Sequence, residues 1–332
     1  MSVSTEFAAL ADANSADTAK SQDELSSFDL LRELEPVAEA GLERHLRLAK
    51  EWMPHEYVPW SQGRDFDALA WEPGQSTLSP IAQTAFEVNL LTEDNLPSYH
   101  REIAEVFGRD GAWGTWVHRW TAEEGRHALC MRDFLLVTRA VDPIELERGR
   151  MRQMELGYSS AGADGAAKSQ LEVMAYVSFQ ELATRISHRN TGTFTEDPIA
   201  ERLLARVAAD ENLHMIFYRD LVAAALELCP NAAVRAIAKE VIGFQMPGAG
   251  IKDFDRKARQ IAKAGIYDLR IHHDEVVWPL LRKWNFFELE GLDAEAEAAR
   301  TGLREFLDAL DGLATRYDEN RVRIAERKLQ AG

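Results

Sequence analysis

Residues 121–127 read T-A-E-E-G-R-H, and residues 210–214 read D-E-N-L-H. Each stretch contains a glutamate followed three positions later by a histidine: Glu124 with His127, and Glu211 with His214. On an α-helix, residues three apart lie on one face about one turn apart. A carboxylate and an imidazole at this spacing can therefore bind one metal ion from a single helix. One such pair alone carries little information, because a solvated helix face can contain it by chance.

Two further glutamates turn the two motifs into an internal repeat. Glu93 precedes Glu124 by 31 residues, and Glu181 precedes Glu211 by 30 residues. The two histidines are 87 residues apart, as are the two motif glutamates. A separation of about 30 residues allows half a helix, a turn and half a helix back, which brings the ligands to one height on antiparallel neighbours. The repeat therefore predicts two helical hairpins that form a four-helix bundle.

Four carboxylates in the core of a bundle require charge compensation. Unpaired, they would be prohibitively costly to bury, whereas two divalent cations balance their charge. Mixed carboxylate and imidazole ligation with open positions suits iron, with manganese as an alternative. We expect Glu124 and Glu211 to bridge the two ions. The other ligands then divide between the ions as Glu93 with His127, and Glu181 with His214.

The residue before each bridging glutamate is also acidic. Metal-bound histidines usually donate their second N–H to a carboxylate. We therefore predict that Asp210 orients His127 and that Glu123 orients His214. The alternative for both acids is a place on a solvated helix face.

A hydroxyl lies one turn after only one of the outer glutamates. Thr184 follows Glu181 by three residues, where the first half of the repeat has Leu96 after Glu93. The hydroxyl is placed either to hydrogen-bond or protonate the reacting oxygen, or to bond back to its own helix. The sequence leaves both interpretations open.

Helical periodicity continues along most of the chain, and no convincing strand pattern occurs, so we predict an all-α fold. Pro97 lacks the N–H that would bond to the carbonyl of Glu93, so a kink or opening is expected there. Residues 53–79 and 159–169 are predicted connections. The predicted helices span residues 28–52, 80–107, 116–140, 143–157, 170–190, 199–228, 232–244, 252–264, 275–284 and 294–326.

Composition restricts the class of protein. The 332-residue chain has a net charge of -17, which argues against nucleic acid as a partner. Its two cysteines suggest a reducing compartment and no disulfide framework.

Residues 1–27 contain no secretory signal and are expected to form a disordered tail before a single domain over residues 28–328. No segment is long and apolar enough for a membrane span, and we expect a cytoplasmic protein.

Several stretches resemble the soluble acyl-acyl-carrier-protein (acyl-ACP) desaturases, and their sequences look closest to those of actinobacterial members. The F-Q-E-L-A-T-R-I-S-H stretch together with T-E-D-N-L-P-S-Y separates this family from ferritins and bacterial monooxygenases. Similar residues run in the family's order from about residue 28 to residue 290. The matching stretches are residues 52–66, 91–99, 119–127, 177–192 and 208–218.

The resemblance implies a ferritin-like homodimer with two iron ions per subunit. It implies that dioxygen and two electrons from reduced ferredoxin place a cis double bond in a saturated acyl chain carried on acyl carrier protein. The family's metal ligands fall on the six residues predicted above, and its threonine implicated in oxygen activation falls on Thr184. Its proposed electron path falls on Trp52, Asp210 and His127, and Trp120 matches a tryptophan close to the irons. Trp52 could equally be a large residue packing the first helix against the bundle.

The chain departs from the family pattern at three positions. Gly125 replaces an asparagine, and a glycine inside a helix costs up to about 1 kcal/mol relative to alanine. Glu102 and Glu105 lie where a plant-type acyl channel would have apolar walls. These residues could weaken or redirect the activity.

Acidic partners such as acyl carrier protein and ferredoxin need a basic surface on this acidic chain. The densest candidate lies in residues 252–263 and includes Arg256, Lys257 and Arg259; Arg185 and Arg189 form another. A run of charge is more often only a solvated face. Two other functions remain open: a different di-iron oxygenase, such as a hydroxylase or N-oxygenase, and a non-catalytic protein that binds iron or a carrier protein.

Overall fold

The computed structural model describes residues 25–158, 167–248 and 250–331, which form helices and no strand. The all-α prediction is confirmed. Short 3₁₀ turns occur at Pro54–Glu56, Trp60–Gln62 and Phe286–Glu288. The helices are α1 Ser27–Leu48, α2 Pro80–Glu93, α3 Leu96–Phe107, α4 Gly111–Val137, α5 Pro143–Leu156, α6 Gln170–Phe194, α7 Pro198–Leu228, α8 Pro230–Ile242, α9 Phe254–Lys263, α10 in three pieces (Leu269–Ile271, His272–Val277 and Trp278–Lys283) and α11 Ala294–Ala331.

A polar cap followed by proline begins two of the bundle helices, α2 and α7. Ser79 accepts a hydrogen bond from the backbone N–H of Ala82 ahead of α2, which has Pro80 in its first turn. Asp197 caps α7 in the same way by accepting from two backbone N–H groups. Proline suits this position because its missing N–H would have no helical partner there. Local sequence thus fixes where α2 and α7, two of the four ligand-bearing helices, start.

Two predicted helices end earlier than periodicity suggested. α1 stops at Leu48, because Ala49 adopts an extended conformation, so Trp52 lies in the connection and does not close the helix. The predicted helix over residues 80–107 divides into α2 and α3 at Asp94 and Asn95. Pro97 lies in the first turn of α3, so the opening expected after Glu93 is a complete break between two helices.

Other boundaries also differ. Helix α4 begins at Gly111, five residues before the prediction. The segment predicted as a plain helix over residues 275–284 begins earlier and contains a π-helical stretch at His272–Val277. The predicted tail falls almost wholly on residues 1–24, and most of the predicted 159–169 loop on residues 159–166, both of which lie outside the described residues.

The bundle consists of α2, α4, α6 and α7, with α1 packed on α4 and α7, and α8 packed on α6. Its apolar core falls into two clusters. Along α4, Trp113–Trp120 belong to one cluster and Ala128–Leu135 to the other. Along antiparallel α7 the order is reversed, with Ala200–Val207 before Met215–Leu226. The two Glu-x-x-His motifs therefore lie at one level, between the two apolar clusters.

Candidate metal centre

Four helices bring the six predicted ligands to this level. Glu93 lies at the end of α2, Glu181 in the middle of α6, and the two motifs in α4 and α7. All six side chains are buried, with exposed fractions of 6% or less. They form two clusters of potential ligands, Glu93–Glu124–His127–Glu211 and Glu124–Glu181–Glu211–His214, in each of which the ligand atoms lie within 4.8 Å of one another.

Glu124 and Glu211 belong to both clusters. The Oε2 atom of Glu124 lies 3.5 Å from Nδ1 of His127, and its Oε1 atom lies 2.8 Å from Nδ1 of His214. Glu211 places Oε1 at 3.3 Å and Oε2 at 3.5 Å from the same two nitrogen atoms. Each carboxylate thus offers one oxygen to each cluster, which is the geometry of a bridging ligand.

Glu93 and Glu181 each belong to one cluster. Glu93 Oε2 lies 3.9 Å from Nδ1 of His127. Glu181 Oε2 lies 3.6 Å from Nδ1 of His214. The arrangement is the one predicted from the repeat, with one outer carboxylate and one imidazole on each side of two shared carboxylates.

The donor atoms fit a pair of metal ions. Five of them are buried and have no hydrogen-bond partner among the described residues: Glu124 Oε1, Glu181 Oε2, Glu211 Oε1, His127 Nδ1 and His214 Nδ1. Buried polar atoms are normally hydrogen-bonded, so a group of orphans around one space indicates a missing partner. Carboxylate oxygens and imidazole nitrogens together are the ligands of iron, manganese and related ions. These clusters could therefore hold metal ions.

Without metal, the site favours bound protons that offset its negative charge. Burial and the carboxylates of Glu124 and Glu211 raise the pKa of Glu93 well above its usual range. Burial and Glu211 do the same to the pKa of Glu181. Burial alone would lower the pKa of His127, but the Glu124 carboxylate and other acidic neighbours raise it well above its usual value. In the absence of metal, bound protons thus reduce the negative charge of these buried carboxylates.

Asp210 and Trp52 contact the far side of His127. Asp210 Oδ2 lies 3.4 Å from Nε2 of His127 and accepts a hydrogen bond of 2.7 Å from the indole N–H of Trp52. Arg126 and Arg206 make ion pairs with the same carboxylate. The rings of Trp52 and His127 are parallel, with centroids 6.4 Å apart. The structure thus places both residues of the predicted path beside His127.

Glu123 occupies the equivalent position beside His214. Its Oε2 atom lies 2.9 Å from Nε2 of His214 and 2.9 Å from Nε2 of His45. His45, Glu123 and His214 have the spacing of a third cluster of potential ligands. Arg119 and Arg126 form ion pairs with Glu123, however, and already compensate its charge. We therefore interpret this group as a network that orients His214.

Two buried histidines were missed by sequence reasoning. His45 lies on α1, far from the repeat in sequence. The only signal in the sequence that it is buried is its position on the apolar face of an amphipathic helix. His188 Nε2 lies 3.0 Å from Oε1 of Glu93. It follows Glu181 by seven residues, two helical turns on the same face, and this spacing could have identified it. Trp120, in contrast, was predicted near the site and donates its indole N–H to Glu181 Oε1 at 3.0 Å.

Two cavities meet at Thr92 and Glu93. Cavity 1, of about 90 Å³, is largely apolar and is lined by Phe244, Met246, Phe254 and Ile261, with Thr184 and His188 beside Glu93. Thr184 donates its hydroxyl to backbone carbonyls of its own helix, at 3.2 Å from Gln180 and 3.1 Å from Glu181. The structure thus shows the bond back to its own helix, and the role towards the reacting oxygen stays a prediction for a residue that lines cavity 1.

Cavity 2, of about 50 Å³, lies on the other side of Glu93 and has a more polar lining. Glu102 is among its lining residues, together with Tyr99, Tyr158 and Lys168. Glu105 is exposed and does not line it. Of the two acidic departures noted in the sequence, only Glu102 therefore faces space next to the metal centre.

The predicted docking residues lie on α9, the helix whose inner face lines cavity 1. Arg256 is exposed and pairs with Asp253 at 2.9 Å. Lys257 is only 13% exposed and pairs with Glu87 at 2.8 Å, so it offers little charge to a partner. Among the described residues, no helix has the length and apolar character needed to span a membrane.

This chain is similar to known proteins over nearly its whole length. The sequence model of the family described as "Fatty acid desaturase" matches residues 26–331. DesA1 of Mycobacterium tuberculosis, named as a candidate acyl-[acyl-carrier-protein] desaturase, is 50% identical over 314 residues, which cover 93% of each chain. Acyl-[acyl-carrier-protein] desaturase 7, chloroplastic, of Oryza sativa is 32% identical over 297 residues, covering 82% of this chain and 72% of the rice protein.

A solved structure shows the same fold. The X-ray structure of DesA2 from M. tuberculosis, also named as a candidate acyl-ACP desaturase, superposes with a TM-score of 0.67 at 30% identity and covers 84% of this chain and 99% of the DesA2 chain. The resemblance inferred from the motifs is confirmed. This chain belongs to the fatty acid desaturase family and has its ferritin-like helical fold.

Proposed function

We propose that this chain is an acyl-ACP desaturase, an oxidoreductase that places a cis double bond in a saturated acyl chain held as a thioester on acyl carrier protein. Family membership supports the reaction, and the names of the relatives support the substrate class. One structural observation supports the proposal independently of family membership. Two clusters of metal-binding side chains share Glu124 and Glu211 and lie against an apolar cavity.

The donor set fits two iron ions, with manganese as the alternative. When bound, such a pair supplies the redox chemistry that reduces dioxygen and removes hydrogen from an unactivated C–H bond. One saturated acyl chain, one O₂, two electrons and two protons give one unsaturated chain and two waters. We assign the electrons to reduced ferredoxin, as the resemblance implies.

The protein's own residues then have separate tasks. The apolar wall of cavity 1 binds the acyl chain and excludes water from it, because apolar surface there gains by leaving water. Thr184 lines cavity 1 and can offer its hydroxyl as a hydrogen-bond donor or acceptor to a group bound there. Asp210 and Glu123 fix the ring orientation of His127 and His214. The indole of Trp52, hydrogen-bonded to Asp210, provides a path for electrons towards His127.

We also propose that acyl carrier protein docks on the outer face of α9, through Arg256 and Arg259, and that the protein acts as a homodimer. The inner face of α9 lines cavity 1, so a carrier on its outer face would deliver the acyl chain to the cavity by a short route. Local charge complementarity supports this site, since the carrier is acidic and Arg256 and Arg259 offer positive charge on a chain whose net charge is -17.

The decisive experiment uses the iron-loaded protein, reduced ferredoxin, oxygen and acyl carrier protein charged with acyl chains from C14 to C24. Mass spectrometry of the released chains should show the loss of two hydrogens and one double bond at a defined position. A gain of oxygen would instead identify a hydroxylase. Absence of any product from every chain, with both ions bound, would refute a catalytic function.

A further inference from the structure

The two outer carboxylates of the proposed metal centre are each held by one N–H donor, and the donors differ. Glu181 accepts from the indole of Trp120 at 3.0 Å. Glu93 Oε1 lies 3.0 Å from Nε2 of His188, which is 1% exposed. Indole nitrogen can only donate, whereas an imidazole nitrogen can donate or accept, so the second contact needs a tautomer argument.

The internal repeat does not extend to the contacts of these two donors. Trp120 precedes Glu124 by four residues, and the residue four before Glu211 is Val207, which has no side-chain donor. His188 follows Glu181 by seven residues, and the residue seven after Glu93 is His100. His100 bonds instead to the hydroxyl of Thr121, with Nδ1 at 2.7 Å from Oγ1. Each outer carboxylate is therefore held by a residue from the other half of the repeat, and by a different chemical group.

The surroundings of His188 select one tautomer. Its Nδ1 atom is buried and has no hydrogen-bond partner among the described residues, and the residue itself lines cavity 1. When Glu93 is ionised, as a metal ligand must be, a proton on Nδ1 would leave a buried unsatisfied donor and turn the Nε2 lone pair towards a carboxylate oxygen. A proton on Nε2 satisfies Glu93 and leaves only an unpaired acceptor, which is the less costly arrangement.

Glu93 has particular need of such support. It is the one predicted ligand that lines both cavities, whereas Glu181 lines neither. We propose that His188 is a positioning residue: its Nε2–H fixes the Glu93 carboxylate towards the ion shared with His127, while its ring forms part of the wall of cavity 1. This inference rests on the metal centre of the proposed function and adds a residue whose nearest contact is with one outer ligand, since Nε2 of His188 lies 3.0 Å from Glu93 Oε1 and 3.7 Å from Oε1 of the shared ligand Glu211.

The test compares three substitutions by anaerobic titration with Mn(II) or Fe(II) against a fluorescent chelator. His188→Leu removes the donor, His188→Asn is too short to reach Glu93, and His188→Gln places an amide N–H near the former position of Nε2. Loss of an outer hydrogen bond to a metal ligand typically costs about 10- to 100-fold in affinity. We expect that loss for one of the two ions with Leu and Asn, and close to wild-type affinity with Gln.

A double-mutant cycle with Glu93→Ala shows whether His188 acts through Glu93. In the Glu93→Ala background, His188→Asn should have no further effect on affinity. The electron paramagnetic resonance spectrum of His188→Asn at limiting Mn(II) should show a single ion where the wild type shows a coupled pair. Trp120→Phe is the matched control, and its effect should persist in full in the Glu93→Ala background.

Three outcomes would overturn the inference: wild-type affinity in His188→Asn, an equal loss in the two backgrounds, or a loss with Gln as large as that with Asn. None of these readouts uses substrate or turnover. A wild-type protein that binds two ions without desaturating any acyl chain would refute the proposed function and leave the role of His188 standing.

Discussion

The Oε2 atom of Glu123 lies 2.9 Å from Nε2 of His214, although the two residues are 91 positions apart in the chain. The other ring nitrogen of His214 faces Glu124 at 2.8 Å. The imidazole is thus held from outside by one acid and offered to the metal centre on its inner side. Hydrogen bonds from His214 and His45 outweigh the effect of burial and hold the pKa of Glu123 well below its usual range.

Removing the charge of Glu123 should therefore weaken metal binding. Glu123→Gln keeps the shape of the side chain but offers His214 a neutral acceptor, so we expect about a 10-fold loss of affinity for one ion. The measurement is the same chelator competition. Glu145→Gln, at an exposed position on α5, should bind metal as the wild type does. Equal affinities in the two variants would show that Glu123 does not support the site.

Metal binding should release protons. The raised pKa values of Glu93, Glu181, His127 and His214 favour proton binding to the apo site, and an ion can bind only to the deprotonated donors. We expect more than one proton per chain to appear when Mn(II) is added in weakly buffered solution with a pH indicator. Affinity should fall as pH falls. Binding without proton release would contradict the shifted pKa values.

Gly125, the residue that departs from the family pattern, should tolerate a side chain. A Cβ atom built there meets only the side chain of Leu96, at 3.8 Å. Gly125→Ala should therefore raise helix stability by up to about 1 kcal/mol, which corresponds to about 2 °C in Tm. Thermal unfolding of the apo protein, followed by circular dichroism, measures the change.

The control for Gly125 is a glycine that packs closely. A Cβ atom at Gly192 would lie 3.2 Å from Cα of Glu201 and 3.2 Å from Cβ of Leu204, across the contact between α6 and α7. Gly192→Ala should lower Tm. A lower Tm for Gly125→Ala as well would mean that the glycine in the first Glu-x-x-His helix is required for packing.

His272 should make the apo protein less stable in acid. It is buried beside Tyr267, and burial lowers its pKa to about 3 from the model-peptide value of 6.5. Between these values the unfolded chain binds a proton that the folded chain does not, so stability falls as pH falls, by about 1.4 kcal/mol per pH unit for this group. His272→Gln should remove this slope between pH 6 and pH 4.

Urea unfolding at several pH values measures the effect of His272. His55→Gln, which removes an exposed imidazole, serves as the control and should keep the wild-type slope. Parallel stability curves for wild type and His272→Gln would show that His272 is not the source of the acid sensitivity.

The docking proposal predicts a change in KM and not in kcat. Reversing Arg256 and Arg259 to glutamate should raise KM for acyl carrier protein substrates several-fold, because acidic partners would be repelled, and the effect should shrink at high salt. Lys257 is left unchanged, since it pairs with Glu87 and its loss would disturb α9. Arg316→Glu with Arg323→Glu, on α11, is the control of equal charge. Unchanged KM for the α9 variant would exclude this surface.

The repeat Glu … Glu-x-x-His was sufficient to predict which six side chains meet. Helical periodicity fixes the face on which each ligand lies, and chain length between ligands fixes their height in the bundle. Helix ends were less predictable. The prediction extended α1 too far, to Trp52. Apolar spacing does not reveal that the Trp52 indole donates a hydrogen bond to Asp210, 158 residues away.

The sequence by itself determined the helical fold, the six side chains that meet at the candidate metal centre and the two acids that lie beside its histidines, because these depend on local spacing within helices and on one repeat. Tertiary structure alone decided the rest. It brought His45 to Glu123 and His188 to Glu93, joined two cavities at Glu93, and paired Lys257 with Glu87. These contacts depend on how helices pack across the bundle, and no periodicity within one helix encodes which residue of another helix it will meet.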